Sequence, residues 1–561
     1  MYKLRALFQQ KLSQQKVSLF IALYLGILLN IPIFYRRYHQ LHYNNGLSLL
    51  VEMVAAFALV YFLTVLVSFT GKTVFRLLLS IVIVSSVAAG YYMIVFNVDI
   101  GYGILASALA FDSLDLSKES VGNHFIIWTI LLSLIPLIPL WFSKMPGASL
   151  RETTLRKLGL KLLLLVVSGL ACWVPLKLMG DAQEAHDKVS NRMMASYGGV
   201  VAGTYSPSNW LSALGLFIYS SYSQAEDNKN LFDPAKHFTY VPPKDINDLY
   251  VVFVIGESAR RDHMGLYGYG RDNTPNLDKE KNLAALQGYS CDTSTKLSLR
   301  CMFVRMGGAA DNPERTLKEA NIFSVLKSQG FSSDLFSMQS EAWFYNKTKA
   351  DEYSLRESIA SEKRNAGKPV DDMLLIDEMK DSMARHPQGK HLIILHTKGS
   401  HYLYSERYPR SFARYQPECM GIDDACSTEE MMNAYDNSLL YTDYFLEQVF
   451  NQMRDKNAIV IYASDHGESI SKNMHFHGTP RDHAPIEQRS VPIMVWASDK
   501  FLADDQNRQG FQQLQLMAKN KTPAYHEKLF DSILGCLGYT SPNGGIVEQH
   551  NWCHVQAAGS H

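Results

Sequence analysis

The chain has 561 residues, with 54 basic and 54 acidic side chains and a formal net charge of zero. Its length is sufficient for two or three domains, each with a core of its own. The balanced charge provides no basic field, which argues against nucleic acid as a partner. Long apolar runs are confined to about the first 180 residues, so the sequence predicts a membrane part followed by a soluble part.

Five apolar stretches precede residue 180, and each is about as long as the roughly 20-residue helix that crosses a membrane. They are Val17–Tyr35, Gly46–Phe69, Val74–Phe96, Phe125–Phe142 and Leu158–Leu178. The first is too long for the apolar part of a cleaved signal peptide, and four more follow it. Residues 1–180 are therefore predicted to form a transmembrane domain of five helices.

The basic residues predict how this domain is oriented. They cluster before the first span, around Lys72 and Arg76, and before the fifth span, whereas the alternate loops carry only Arg36, Arg37 and Lys118. Since basic residues favour the cytoplasmic side, the N-terminus is predicted inside. An odd number of spans then places everything after about residue 180 outside the cytoplasm.

The seven cysteines fit this orientation. Six lie in the C-terminal part, and the seventh, Cys172, lies within the fifth span. Disulfides persist in oxidising compartments, so three bridges are expected. Six cysteines allow fifteen pairings, of which sequence proximity favours Cys291–Cys301, Cys419–Cys426 and Cys536–Cys553. Zinc ligation by these cysteines is disfavoured because none has the C-x-x-C spacing of a zinc knuckle.

Residues 181–245 are predicted to be a connector, part of it an amphipathic helix that lies at the membrane interface or packs on the soluble domain. Residues 246–561 are predicted to form an α/β domain with a mainly parallel sheet, because four short runs are apolar throughout. These runs are YVVFVIGES, HLIILHTKGSH, AIVIYASDHGES and VPIMVWAS. In open α/β sheets, ligands bind beyond the carboxyl ends of the strands.

Side chains that bind metals follow the strand ends. They are Glu257, His396 and His401, Asp465 and His466, and a further group of His475, His477 and His483. A mixture of carboxylate and imidazole ligands suits zinc better than magnesium or calcium, which prefer oxygen alone. One zinc ion is therefore expected, and a second is conceivable.

The segment CDTSTKLSLRC contains the candidate nucleophiles. Thr293, Ser294, Thr295 and Ser298 lie between two cysteines, and a hydroxyl bound to zinc is a competent nucleophile near neutral pH. A disulfide-braced turn with capping hydroxyls is the alternative interpretation. Residue type alone does not choose among the four hydroxyls.

Five segments together resemble the phosphoethanolamine transferases of Gram-negative inner membranes, which belong to the alkaline phosphatase and arylsulfatase superfamily. They are IGESARRDH, CDTSTKLSLRC, LHTKGSHY, YDNSLLYTD and SDHGES. The resemblance implies that Thr295 is the nucleophile and, with Glu257, Asp465 and His466, a zinc ligand. It also implies that His396, His401 and His477 bind substrate phosphate or a second zinc ion, with His401 and His396 taking part in catalysis.

The resemblance further implies a multi-pass inner-membrane enzyme with its catalytic domain in the periplasm. The donor would be phosphatidylethanolamine, the acceptor a lipopolysaccharide, and the protein a monomer that needs no nucleotide. Segments such as SYGGVVAGTYSPSNWLSALGL and CLGYTSPNGGIVEQHNWCH resemble the members that modify the Kdo sugar of the inner core. The loop GYGILASALAFDSLDLSKES lacks the motif of the lipid A enzymes. Lipid A phosphate and core heptose remain alternative acceptors.

The implied reaction is a double displacement through a phospho-threonine, which changes the charge of the outer-membrane surface. A glycerol-phosphate transferase is a further alternative. A sulfatase is disfavoured because CMFVR lacks the proline of a C-x-P-x-R signature. Outside the soluble part, Glu52 is expected either to reach a substrate amine or to extend its side chain to the interface.

Overall fold

The computed structural model describes most of the chain in two compact units, whose boundary lies between Tyr219 and Ser220. The described residues are 13–40, 45–95, 100–101, 105, 122–143, 155–190, 197–227, 231–244, 248–305, 318–421, 426–471, 474–479, 481 and 484–554. Most of the loop GYGILASALAFDSLDLSKES, and His483, lie outside them.

The first unit is helical. Its elements are α1 Gln14–Leu23, a π-helical turn Tyr24–Leu28, α2 Ile31–Gln40, α3 Asn45–Val67, α4 Lys72–Val95, α5 Asn123–Phe142, α6 Leu155–Ser190, α7 Tyr197–Thr204 and α8 Ser208–Asp227. Within the described residues, five helical stretches are long and apolar enough to cross a membrane, the first of them Gln14–His39. The predicted helical spans are confirmed.

The first span packs tightly on α3. A Cβ atom at Gly26 would lie 2.9 Å from the carbonyl oxygen of Ala56, so the absence of a side chain permits this approach. Asn30 follows the π-helical turn and is fully buried. Its amide donates to the carbonyl oxygen of Ser206 across 2.7 Å and accepts from the Ser206 N–H across 3.0 Å.

The segment after the fifth span also belongs to the first unit up to Tyr219. Tyr197, Tyr205 and Trp210 are buried, and the indole N–H of Trp210 donates to Ser86 Oγ of α4 across 3.2 Å. This part of the predicted connector therefore packs against the transmembrane helices through aromatic side chains.

The second unit is an α/β domain. Its helices are α9 Pro234–His237, α10 Thr295–Cys301, α11 Ile322–Ser328, α12 Ala342–Thr348, α13 Arg356–Ser361, α14 Leu374–Arg385, α15 Thr428–Met453, α16 Asp505–Lys519 and α17 Leu529–Cys536. Its strands are β1 Leu249–Gly256, β2 Leu283–Tyr289, β3 Ser332–Ser337, β4 Glu352–Leu355, β5 Lys390–His396, β6 Ala458–Ser464, β7 Ser469–Ser471, β8 Met474–Phe476, β9 Ser490–Ala497 and β10 Pro523–Tyr525.

Eight of these strands form one sheet in the order β10-β2-β9-β6-β1-β5-β3-β4. The central strands β6, β1 and β5 are parallel and buried along their length, and a hydrophobic core covers each face of the sheet. β9 is the exception, because it pairs antiparallel with both β6 and β2. No described helix crosses from β6 to β9, so the chain turns back at the same edge. The predicted mainly parallel α/β fold is confirmed.

Three disulfides stabilise the second unit: Cys291–Cys301, Cys419–Cys426 and Cys536–Cys553. They are the pairs that sequence proximity favours. Cys172 is a free thiol in α6. The first disulfide joins the residue two positions after β2 to the last residue of α10, so it closes the loop that carries the candidate hydroxyls.

Candidate active site

Three acidic and imidazole side chains meet where β1 and β6 end. Glu257 follows β1, and Asp465 and His466 follow β6, the neighbouring parallel strand. One ligand atom from each lies within 4.8 Å of the others, and all three residues are buried. Adjacent parallel strands end at the same edge, which explains why residues 208 positions apart in sequence converge here.

The loop after β5 packs against the backbone of Glu257. The N–H of Ser400 donates to the Glu257 carbonyl oxygen across 3.0 Å. A Cβ atom at Gly399, whose φ is +49°, would lie 2.8 Å from that same oxygen, so glycine is required for the contact. Asp372 fixes the loop by accepting hydrogen bonds from the N–H groups of Lys398 and Gly399.

The geometry of the three side chains fits a divalent metal ion. His466 Nδ1 contacts the Gly467 carbonyl oxygen at 2.8 Å, which assigns the proton to Nδ1 and turns the Nε2 lone pair toward Glu257 Oε1 at 3.3 Å. Asp465 Oδ2 is buried and has no hydrogen-bond partner among the described residues. Two carboxylates and one imidazole are a donor set that binds zinc.

The electrostatics of the cluster point the same way. Burial raises the pKa of Asp465 to about 8, and the negative charge of Glu257 adds to the rise. Burial opposes ionisation of Glu257 as well, but the adjacent His466, His401 and His477 hold its pKa below the usual range. Two buried carboxylates this close retain a proton near neutral pH, and a bound cation removes that need.

Thr295 lies beside this cluster at the start of α10. Its Oγ1 donates to Glu257 Oε2 across 2.9 Å and lies 3.3 Å from His466 Nε2. Of the four hydroxyl residues in the loop, Thr293, Ser294 and Ser298 are buried, whereas Thr295 is partly exposed. The structure therefore singles out Thr295 as a hydroxyl that contacts both the acidic cluster and solvent.

The remaining predicted histidines are at different depths. The rings of His466 and His477 are 4.3 Å apart, and those of His401 and His477 are 6.2 Å apart. His396 is fully buried, and its Nδ1 lies 2.8 Å from the hydroxyl of Tyr345. Burial lowers the pKa of His396 to about 4, so this ring is neutral. His401 and His477 lie nearer the surface than His396.

Two residues that the sequence analysis did not identify support the cluster. Gln339, two positions after β3, donates from its amide to Glu257 Oε2 across 2.9 Å. The ammonium of Lys398 lies 3.4 Å from the Gln339 amide oxygen. Gln339 follows the end of a strand, as the predicted site residues do. The sequence did not reveal this strand, because FSSDLFS contains too many polar residues to resemble the fully apolar central strands.

A second group in this unit also has metal-binding side chains: Asp334, His386 and His391. Here Ser382 Oγ lies between Asp334 Oδ2 and His391 Nε2, 2.7 Å from each, and Arg385 forms an ion pair with Asp334 at 2.7 Å. The Ser382 hydroxyl and the Arg385 guanidinium thus lie where a bound cation would contact Asp334 and His391. This group is therefore a structural hydrogen-bond network.

Comparison with known proteins identifies the family of the chain. The sulfatase family profile matches residues 250–539, and the profile described as phosphoethanolamine transferase EptA/EptB matches residues 56–179. The chain is 53% identical over 556 residues to the Kdo(2)-lipid A phosphoethanolamine 7''-transferase of Escherichia coli K12, covering 98% of each protein. The chain belongs to the phosphoethanolamine transferase family.

Two further comparisons support this family membership. The Salmonella typhimurium Kdo(2)-lipid A phosphoethanolamine 7''-transferase is 53% identical over 97% of this chain and 98% of its own length. The solved structure of the full-length lipooligosaccharide phosphoethanolamine transferase A from Neisseria meningitidis has the same fold, with a TM-score of 0.81 at 23% identity over 96% of this chain and 97% of its own. This phosphoethanolamine transferase is thus a multi-pass membrane protein with a sulfatase-type domain.

Proposed function

We propose that the chain transfers phosphoethanolamine from phosphatidylethanolamine to a Kdo sugar in the inner core of lipopolysaccharide. The placement of the Thr295 hydroxyl against Glu257 and His466 is the observation that carries the proposal, because it sets a nucleophile beside a metal-type cluster. The 53% identity with two transferases named for Kdo(2)-lipid A, over nearly the whole chain, supports Kdo as the acceptor.

We assign zinc to Glu257, Asp465 and His466, with Thr295 Oγ1 as a further ligand. When bound there, zinc supplies the positive charge that makes a hydroxyl acidic enough to ionise near neutral pH. Glu257 holds the Thr295 hydroxyl in place, and Gln339 holds Glu257 through its amide. The Nδ1 contact of His466 with Gly467 fixes the ring so that Nε2 remains a ligand atom.

The reaction proceeds in two displacements. Thr295 Oγ1, having lost its proton, forms a bond to phosphorus, and the bond from phosphorus to the diacylglycerol oxygen breaks, so diacylglycerol leaves with a proton. A Kdo hydroxyl then attacks the phospho-threonine and restores the Thr295 hydroxyl. Because one phosphate ester replaces another, the reaction needs no nucleotide.

His401 and His477 are the side chains that we assign to the phosphoryl oxygens and to proton transfer, since both are partly exposed. The His477 ring lies 4.3 Å from that of His466, and the His401 ring lies 6.2 Å from that of His477. His396 keeps its assignment to catalysis or phosphate binding: it is buried, as Glu257, Asp465 and His466 are, and its Nε2 has no hydrogen-bond partner among the described residues. Its Nδ1 forms a hydrogen bond with the hydroxyl of Tyr345, which fixes the orientation of the ring.

The membrane placement follows the same proposal. The N-terminus lies in the cytoplasm, residues 1–180 form the transmembrane domain, residues 181–245 form the connector, and the catalytic domain of residues 246–561 lies in the periplasm at the inner membrane. The disulfides of the second unit fit this oxidising compartment. Monomeric function is part of the proposal.

Mass spectrometry of lipopolysaccharide tests the acceptor. Cells that lack the gene are complemented with the wild-type chain or with the Thr295→Ala variant. We expect a phosphoethanolamine mass increment on the Kdo-containing core fragment with the wild-type chain alone. An increment on the lipid A phosphates or on core heptose would refute Kdo as acceptor, and an unchanged product with Thr295→Ala would refute the mechanism.

A further inference from the structure

A buried carboxylate with polar partners lies in the transmembrane unit. Glu52 of α3 is fully buried, so its side chain does not extend to the interface. It accepts hydrogen bonds from the hydroxyls of Tyr197, across 2.9 Å, and Tyr205. Arg37, in the last turn of α2, contacts the same carboxylate. Burial of a carboxylate in a membrane protein is costly without such partners.

The contact between Arg37 and Glu52 involves one nitrogen of the guanidinium, Nη2. Arg37 Nη2 lies 3.4 Å from Glu52 Oε1, longer than the 2.7–2.9 Å typical of a strong charge-assisted hydrogen bond. Arg37 Nε is buried and has no hydrogen-bond partner among the described residues. The side chain is nevertheless 18% exposed, so an anion can reach it from the surface. An arginine with donors to spare matches the paired oxygens of a phosphate.

The neighbours of Arg37 indicate its depth in the membrane. Tyr35 and Tyr38 on the same helix are 69% and 42% exposed. Tyrosines concentrate at the level of lipid headgroups, where the ring is apolar at one end and hydrated at the other. Lipid phosphates lie at the same level. Arg37 lies between these two tyrosines in the sequence of α2, which places it near the depth of the phosphate layer.

We propose that Arg37 binds the phosphate of a glycerophospholipid and that Glu52, held by Tyr197 and Tyr205, positions its guanidinium. The inference rests on the proposed function, since it gives the donor phospholipid a binding residue in the transmembrane unit. Lipid A carries phosphates at a similar depth, and the shared chemistry is a pair of phosphate oxygens facing a guanidinium fork. The glycerophospholipid is the occupant assigned here, because Glu52 already offsets part of the charge of Arg37. A guanidinium offset in this way favours the singly charged phosphodiester of a glycerophospholipid over the more highly charged phosphomonoesters of lipid A.

Lipid retention by the purified full-length protein tests the site. Three proteins are compared: the wild-type chain, Arg37→Gln and Arg37→Lys. Each is transferred into detergent from membranes that contain phosphatidylethanolamine, phosphatidylglycerol and Kdo-lipid A. Native mass spectrometry then counts the lipids that remain bound. We expect Arg37→Gln to bind phosphatidylethanolamine about tenfold more weakly or worse, the loss of one hydrogen-bonded charged contact. Arg37→Lys, which keeps the charge without the fork, should lie between the two.

Arg76→Gln is the matched control. Arg76 is also in the transmembrane unit, but its guanidinium donates to the carbonyl oxygens of Leu140 and Ser143 across 3.2 and 2.9 Å. We expect its lipid retention to equal that of the wild type. In transfer assays, Arg37→Gln should raise KM for phosphatidylethanolamine and leave kcat unchanged.

Three outcomes would overturn the site: unchanged lipid retention in Arg37→Gln, an equal loss in Arg76→Gln, or a loss confined to Kdo-lipid A. If Arg37→Gln does not fold, as judged by gel filtration and thermal melting, Arg37→Lys decides, since unchanged retention there contradicts the proposal and reduced retention supports it. Retention that depends on Arg37 in a chain that transfers no phosphoethanolamine would refute the proposed function and leave this site standing.

Discussion

Thr295 Oγ1 donates a hydrogen bond to Glu257 Oε2 across 2.9 Å, which joins the first residue of α10 to the residue that follows β1. The Cys291–Cys301 disulfide closes the loop on the other side of this contact. Glu257 thus holds the Thr295 hydroxyl, and the disulfide constrains the loop that carries it. Both lie at the edge of the sheet where Asp465 and His466 also lie.

Replacing Thr295 by alanine should reduce phosphoethanolamine transfer by about a thousandfold or more, because no other hydroxyl occupies its position. Ser298→Ala is the matched control, since Ser298 Oγ is buried in the same helix and has no hydrogen-bond partner among the described residues. Transfer of a labelled headgroup from phosphatidylethanolamine is the measurement. Equal activity of the two variants would contradict the assignment of the nucleophile.

Glu257→Gln should lower the zinc content of the purified protein well below one ion per chain, because the substitution removes one of two carboxylate ligands. Asp334→Asn, in the network that we interpret as structural, should leave the metal content unchanged. Elemental analysis of folded protein distinguishes the two clusters. Zinc lost from Asp334→Asn but not from Glu257→Gln would reverse the assignment. Chelation of the wild-type chain should abolish transfer, and added zinc should restore it.

Gln339→Leu should weaken zinc affinity by about 10- to 100-fold, the usual effect of removing a residue that orients a ligand. Its amide donates to Glu257 Oε2, and leucine cannot replace that hydrogen bond. Competition with a zinc chelator measures the affinity. Gln512→Leu, at an exposed position of α16, is the control for loss of an amide side chain. An affinity equal to that of the wild type would show that Gln339 does not position Glu257.

Asp443 should make the stability of the protein depend on pH. Burial raises its pKa to about 7, although the carboxylate accepts hydrogen bonds from the N–H groups of Asn276 and Leu277. A carboxyl whose pKa is raised by folding contributes stability that is complete below about pH 4 and is lost as pH rises through about 7. The change is roughly 4 kcal/mol, from about three pKa units at about 1.4 kcal/mol each.

Thermal melting of the full-length chain in detergent, from pH 4 to 8, measures this effect against Asp443→Asn. The melting temperature of the wild type minus that of the variant should fall as pH rises, because the amide does not titrate. A difference that stays constant with pH would show that Asp443 keeps its ordinary pKa.

Removing the Cys291–Cys301 disulfide by a double serine substitution should destabilise the protein by about 3 kcal/mol, the chain-entropy value for a loop of roughly ten residues. Transfer activity should fall more than for the corresponding change at Cys419–Cys426, which is not next to Thr295. Denaturant unfolding and the transfer assay provide the two measurements. Equal losses of activity would mean that the first disulfide has no special role in holding Thr295.

The sequence by itself determined the large divisions of this protein. Uninterrupted apolar runs of about 20 residues specify transmembrane helices whatever the details of packing, and the fully apolar runs of β1, β5 and β6 specify a buried parallel sheet. Glu257, Asp465 and His466 were recognisable because each follows such a strand. The antiparallel direction of β9 was not, because a fully apolar run is the same in either direction.

The tertiary structure decided which residues that are far apart in the sequence come into contact. Residue type could not separate Thr295 from Thr293, Ser294 and Ser298, but only Thr295 is partly exposed and contacts Glu257. Nor could it show that Tyr345 forms a hydrogen bond with His396, or that Glu52 accepts hydrogen bonds from two tyrosines about 150 positions further along the chain. Hydrogen bonds form between side chains that folding brings together, and strand and helix periodicity carries no record of those pairings.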